Sequence, residues 1–151
     1  MTSTRTRIIG WVLVAVQFAL FGVLFVLPRR PVTTLTAVVG ALIIGVGLIV
    51  VVAAFIRLGN ALTPTPVPLA HAGLRTTGIY RVVRHPIYSG VLLIAIGIVV
   101  AIGSWWTVAW LITLIVFFTL KYTWEDRLLQ ETYGSPWVQW AERTGALIPR
   151  I

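Results

Sequence analysis

From Pro86 to Leu120 the chain carries no Asp, Glu, Lys or Arg. A run this long without charge exceeds what one bilayer crossing needs, and Gly103-Ser104 interrupts it near its middle. It therefore predicts a helical hairpin with limbs of about 17 residues each, over 86–103 and 105–122. Two earlier uncharged runs, 8–27 and 35–56, are each long enough to cross a hydrocarbon core as a helix. The expected fold is all-α: one polytopic integral membrane domain over 1–151 with about four transmembrane helices. A cleaved signal peptide competes for the first run, but that run is longer than an ordinary signal core and no A-x-A site follows, so a retained span is expected. Gly40 and Gly47 lie seven apart on one face of the second run, and Gly90 and Gly97 repeat that spacing in the third, which suits close helix packing. Trp105, Trp106 and Trp110 open the fourth run and are expected to mark a membrane interface.

Composition agrees, with 58% hydrophobic residues and a mean hydropathy of +0.96, far from an ordinary soluble domain. The formal net charge of +8 raises nucleic acid as a partner. However, the arginines flank apolar runs instead of interleaving along a soluble surface, so membrane lipid is the expected partner and nucleic acid is not. Four spans put ten basic residues on one side: Arg5, Arg7, Arg57, Arg75, Arg81, Arg84, Lys121, Arg127, Arg143 and Arg150. Only Arg29 and Arg30 lie on the other. The positive-inside rule then predicts cytoplasmic termini, a cytoplasmic loop over 57–85 and a cytoplasmic tail over 123–151, in the plasma (inner) membrane. With no cysteine and two histidines, the chain lacks the ligands for a zinc site or a disulfide framework. It has neither GxGxxG nor a P-loop.

Chemistry concentrates in Gly78-Ile-Tyr-Arg-Val-Val-Arg-His-Pro-Ile-Tyr-Ser-Gly90. Pro86 suits the first turn of a helix and pushes His85 toward an extended backbone. Tyr80, Arg81, Arg84, His85 and Tyr88 thus gather at a helix N-terminus, where free N–H groups favour an anion. The plainer reading is a basic loop touching lipid headgroups, with tyrosines as interfacial anchors. Upstream, Pro64, Pro66 and Pro68 make a stiff, extended connection. Within it, Asn60 and Thr63 are either ligand contacts or turn residues, and His71 reads as an exposed loop residue. Arg57 reads as a snorkelling end-residue.

All four acidic residues (Glu125, Asp126, Glu131 and Glu142) fall in the C-terminal segment. Topology brings Glu125 and Asp126 to the same membrane face as 78–88. They either neutralise Arg81 and Arg84 or complete a zwitterion site. In the second reading arginine and histidine bind a carboxylate, an acidic side chain holds an ammonium, and aromatic faces receive a sulfonium or adenine. The fourth helix is expected to run on past Lys121, and the tail after it to lie along the membrane surface.

From about Asn60 onward the sequence resembles the isoprenylcysteine carboxyl methyltransferase family and its phospholipid methyltransferase relatives. The resemblance rests on Gly78-x-Tyr80-Arg81-x-x-Arg84-His85-Pro86-x-Tyr88-x-Gly90, on Glu125-Asp126 with Leu128-Leu129, on Tyr133-Gly134 and on Ile148-Pro149. It implies a membrane methyltransferase with S-adenosylmethionine at the cytoplasmic face and a lipophilic or lipidated acceptor entering from the bilayer. By position, Tyr80, Arg84, His85, Pro86, Tyr88 and Glu125 would line the cofactor pocket. Arg84, His85 and Glu125 would serve catalysis, and Arg81 and Arg127 lie nearby. The sequence departs from the pattern at Ile79 (often proline), Asp126 (a second glutamate), and Trp137 and Trp140 (tyrosines), none of which removes an expected ligand. Carboxyl O-methylation of an isoprenylcysteine-like acceptor is the leading expectation. Phospholipid N-methylation, an NADPH-dependent sterol or enone reductase and a non-enzymatic scaffold are the alternatives.

Overall fold

The computed structural model describes residues 4–68 and 73–150, with Asn60 described for its backbone only; the side chain of Asn60 and all of His71 lie outside the described residues. Among the described residues five α-helices follow one another: α1 Thr4–Val23, α2 Thr34–Leu58, α3 Pro86–Ile102, α4 Trp105–Tyr133 and α5 Ser135–Arg143. Two short 3-10 turns, Gly59–Ala61 and Gly78–Arg81, punctuate the long connection between α2 and α3.

The helix starts follow from local chemistry. Thr33 caps α2 and Ser104 caps α4, each in a reciprocal capping box with the threonine three residues on. Pro86 opens α3 after His85, whose ψ of 62° is non-helical. Three helices (α1, α2 and α4) are long and apolar enough to cross a membrane, and α3, with 17 residues, is shorter. The chain is thus a polytopic helical membrane protein. α1 ends at Val23 and gives way to turns, short of the expected limit at residue 27. α4 runs without a break past Lys121 to Tyr133, as expected.

α2 and α3 pack antiparallel along the two glycine pairs. A Cβ on Gly40 would sit 2.6 Å from the Gly97 carbonyl oxygen, and one on Gly47 would sit 2.7 Å from that of Gly90. Only hydrogen fits there, so the backbones touch as small-residue seams allow. A second contact group joins α3 to α4 through buried Leu92, Ala95, Trp110, Leu114 and Phe118, and Leu20 and Phe21 of α1 pack on it. Here one expectation fails. Trp105 and Trp106 are exposed, but Trp110 is only 5% accessible, and its indole N–H donates to the Leu20 carbonyl at 2.7 Å. One helical turn further in, the indole finds a partner on α1 and serves as a helix tie. The remaining faces of α1, α2 and α4 present exposed Val, Leu, Ile and Phe, as lipid contact requires.

Candidate functional site

The seam fixes where α3 begins, because Gly90 lies one turn beyond Pro86. Gly78, at φ 64°, permits the tight turn before it, and the Arg57 side chain lies directly over this glycine. That gives exposed Arg57 a packing role beyond snorkelling. The following 3-10 turn buries Tyr80, whose backbone carbonyl accepts from the Trp140 indole at 3.2 Å. Burial, and secondarily the charge of Glu125, pushes the Tyr80 phenol well up, so it remains a neutral donor.

At the start of α3, His85 is buried between two aromatic rings. Tyr88 is stacked at 5.5 Å with the planes 7° apart, and Tyr122 is also at 5.5 Å. Its Nε2 lies 2.8 Å from Asp126 Oδ1, so a ring N–H donates to the carboxylate there. Its Nδ1 faces Glu125 Oε2 at 3.7 Å, beyond hydrogen-bond distance. The Tyr88 hydroxyl donates to that same Glu125 oxygen at 2.7 Å.

The two acidic neighbours on α4 therefore have different surroundings. Asp126 is 9% accessible and clasps both His85 and, at 3.0 Å, the Arg84 guanidinium. Glu125 faces the cavity. The expectation that this pair neutralises Arg81 and Arg84 is half right: Asp126 takes Arg84, and among the described residues Arg81 has no carboxylate partner. One residue along a helix is a rotation of about 100°, which sends one carboxylate inward and the other into the cavity.

Arg84 lines the cavity with its neighbours, and both terminal nitrogens of its guanidinium are already engaged, while its Nε–H is buried without a partner among the described residues. Nη2 meets Asp126, and Nη1 donates to the Ala141 carbonyl at 3.0 Å and to that of Thr144. The arrangement expected from sequence, a fork free to clamp a ligand carboxylate, is therefore taken up by the protein itself. The tail folds over 83–89. Val83 and Gly145 form a parallel bridge, and the N–H groups of Arg84 and His85 donate to the Gly145 and Ala146 carbonyls at 2.8 and 3.0 Å. The Ser89 hydroxyl donates to the Leu147 carbonyl at 2.7 Å. Amphipathic α5 holds this strap in place by burying Trp137, over which Arg84 stands at 5.8 Å.

Together these elements enclose a cavity of about 550 Å³ lined by Tyr80, Arg84, His85, Pro86, Tyr88 and Glu125. All six residues singled out from sequence as pocket residues thus meet at one cavity. The proline-rich connection forms another wall, resting on α1 where Thr65 and Val67 approach Gly10. Thr63 lines this wall, but its hydroxyl donates to the Thr65 carbonyl at 2.6 Å as a turn residue does. Arg127, one position past Asp126, does not line the cavity.

Sequence reasoning missed Gln17 and Lys121. Lys121 is 3% accessible, lines the cavity, and donates to the Gln17 side-chain oxygen from α1. Its ammonium lies 5.1 Å from the centre of the Tyr88 ring. It has no carboxylate within ion-pair distance among the described residues. Two signals were available. Gln17 is the one amide in an otherwise apolar span, and Lys121 stands one turn before Glu125 on the same helical face.

The fold and site define a helical membrane protein whose cavity is lined by one carboxylate, Glu125, one ammonium, Lys121, and the rings of Tyr80, His85 and Tyr88. Residues 35–136 match the phospholipid methyltransferase family, and the chain belongs to it. It is 29% identical over 82 residues to protein-S-isoprenylcysteine O-methyltransferase B of Arabidopsis thaliana, covering 54% of this chain and 42% of that protein. The A form from the same plant is 31% identical over 82 residues, with the same shares covered. A probable protein-S-isoprenylcysteine O-methyltransferase of Oryza sativa subsp. indica is 34% identical over 79 residues, covering 52% of this chain and 41% of the relative. The chain thus spans about four-tenths of the length of the curated relatives it matches.

Proposed function

We propose that this protein is an S-adenosylmethionine-dependent methyltransferase acting on the carboxylate of an isoprenylcysteine-like or other lipophilic acceptor. The observation that carries the reading is the cavity in which Glu125 and Lys121 stand one helical turn apart among Tyr80, His85 and Tyr88. This donor set fits the cofactor's chemistry: a carboxylate for its ammonium, an ammonium for its carboxylate, and aromatic faces for a sulfonium or adenine. When bound, S-adenosylmethionine supplies a sulfonium-borne methyl group open to in-line displacement.

The chain's own residues then bind, orient and exclude water. Glu125, held by the Tyr88 hydroxyl, is fixed in direction before any ligand arrives. His85 presents its ring to Tyr88 and anchors to Asp126, so it positions the aromatic wall. Arg84 belongs to the site as a positioning residue, binding strap and α4 together. A carboxylate acceptor is ionised at neutral pH and needs no general base. The relatives named for O-methylation support a carboxylate acceptor over an amine. Val14 and Phe18 of α1 line the cavity, and Phe18 is 65% exposed on the bundle's outer surface. An apolar chain therefore has a route in from the bilayer. The split of ten basic residues to two supports a cytoplasmic site and cytoplasmic termini.

The test is calorimetry on detergent-purified protein with S-adenosylmethionine, S-adenosylhomocysteine and NADPH. The reading requires the first two to bind; a preference for NADPH points to the reductases, and no binding to a scaffold. A double-mutant cycle of His85→Ala and Glu125→Gln on S-adenosylhomocysteine affinity should then show coupling of about 0.5–3 kcal/mol, as residues sharing one ligand do. Base-labile methyl incorporation identifies an ester product; base-stable incorporation identifies an N-methyl product and overturns the carboxylate assignment.

A further inference from the structure

We propose that the cleft between the turn Gly78–Arg81 and α5 is a second binding site, distinct from the main cavity, for the phosphate of an anionic lipid headgroup. The cleft is an open surface groove with about 780 Å³ of space, and exposed Arg81, Arg143 and Gln139, with Thr76, supply its polar lining. Trp140 forms part of both its wall and that of the main cavity. Among the described residues neither Arg81 nor Arg143 is ion-paired. Two of the acidic side chains are committed elsewhere: Asp126 faces Arg84 and His85, and Glu125 receives the Tyr88 hydroxyl. None of the four acidic residues lines the cleft.

Two arginines converging on a concave surface without a counter-charge focus a positive field into it. Their planar, multi-donor forks match phosphate oxygens, and Gln139 adds a neutral donor. The position selects the occupant. The cleft lies at the end of the bundle where ten of the twelve basic residues gather, the end at which α1 begins and α2 and α4 leave their apolar stretches. A headgroup layer lies at such a level, and basic pockets at that depth take anionic headgroups. The cleft is also coupled to its neighbour. Thr144 in its wall gives its carbonyl to Arg84, and Trp140 bonds the Tyr80 carbonyl. An anion bridging Arg81 and Arg143 therefore fastens α5 and the strap across the main cavity.

The experiment reads unfolding temperature in neutral detergent and does not depend on methyl transfer. Phosphatidylglycerol should raise the midpoint of the wild-type protein, whereas phosphatidylcholine and inorganic phosphate should not. The pair Arg81→Gln with Arg143→Gln should remove more than half of the phosphatidylglycerol shift. The pair Arg5→Gln with Arg7→Gln removes the same charge at exposed positions of α1 and should keep it. If the double variant does not fold, Arg143→Gln alone, at an exposed position, should still lose part of the shift. An intact shift in the cleft variants, or an equal loss in the α1 control, overturns the site. An equal shift with inorganic phosphate overturns the lipid assignment in favour of a free anion.

Discussion

The α2–α3 seam and the polar pole at the start of α3 are held together by opposite means. Along the seam, Gly40 meets Gly97 and Gly47 meets Gly90 with no side chain between them, so fit is purely steric. At the pole, Asp126 gathers a guanidinium and an imidazole, and the Tyr88 hydroxyl and Glu125 complete the cluster. The seam works by absence of atoms and is indifferent to charge. The pole works by charge and fails if one partner is removed. The difference matters because the first determines the second: the register of α3 against α2 decides where Pro86 and His85 meet α4. A rigid apolar contact thereby orients a polar cluster whose members are individually replaceable only at a cost.

The largest expected effect comes from breaking the pole at its centre. Asp126→Ala removes the partner of Arg84 and of His85 Nε2 together, leaving a nearly buried guanidinium without its counter-charge. Such losses cost about 3–5 kcal/mol, and the slight openness of this pair, with side chains 15% and 12% accessible, places the expectation near the lower end. Chemical or thermal unfolding in detergent measures it. The companion variant Glu125→Gln should leave stability nearly unchanged, because an amide oxygen still accepts from Tyr88, yet it should abolish methyl transfer. Equal destabilisation by both would mean that the two carboxylates share one structural role, contrary to their different surroundings.

The seam is tested by adding single methyl groups. Gly47→Ala places a carbon 2.7 Å from the Gly90 carbonyl oxygen, which forces the helices apart at a cost of about 1–3 kcal/mol. Gly45→Ala meets nothing within 4 Å and should gain up to about 1 kcal/mol from better helix propensity. Opposite signs two residues apart on one helix are the signature of a true backbone contact. If Gly47→Ala is also neutral, the seam does not govern the register of α3.

These two regions also mark how far the sequence could be read. Glycines seven apart in two uncharged runs announce a seam, because close approach needs glycine and the spacing keeps them on one face. Of the six pocket residues, Tyr80, Arg84, His85, Pro86 and Tyr88 crowd around a proline that starts a helix, and Glu125 reaches the same face through the expected topology. That all six line one pocket was implied by the family resemblance and not by spacing. Trp110 was misread because a tryptophan's position in a run does not reveal whether its N–H has a partner, and here the partner is a backbone carbonyl on α1. The strap was invisible for the same cause. Arg84 and His85 pair with tail carbonyls, and any residue offers a carbonyl. Lys121 was counted as a topology marker, since one cation near a helix exit is ordinary until Gln17 is found opposite it.

The strap supplies the smallest expected effect and the finest test of the contrast. Ser89→Ala removes the hydroxyl that donates chiefly to the Leu147 carbonyl at 2.7 Å, with the His85 carbonyl of its own helix a longer second acceptor at 3.2 Å, and adds no new atoms. A neutral hydrogen bond of this kind is worth about 0.5–1.5 kcal/mol. The backbone bonds of Arg84 and His85 to Gly145 and Ala146 survive the change, as does the grip of Arg84 on Thr144. The strap should therefore loosen only at its Leu147 end. Hydrogen exchange should rise at residues 147–148 and stay unchanged at 84–85, with cofactor affinity altered less than twofold. If protection at 84–85 falls as well, strap and pole open as one unit, and the ties near Arg84 are weaker than their number suggests. Unchanged exchange at 147–148 would instead mean that Leu147, packed on the α3–α4 core, holds the strap by burial alone.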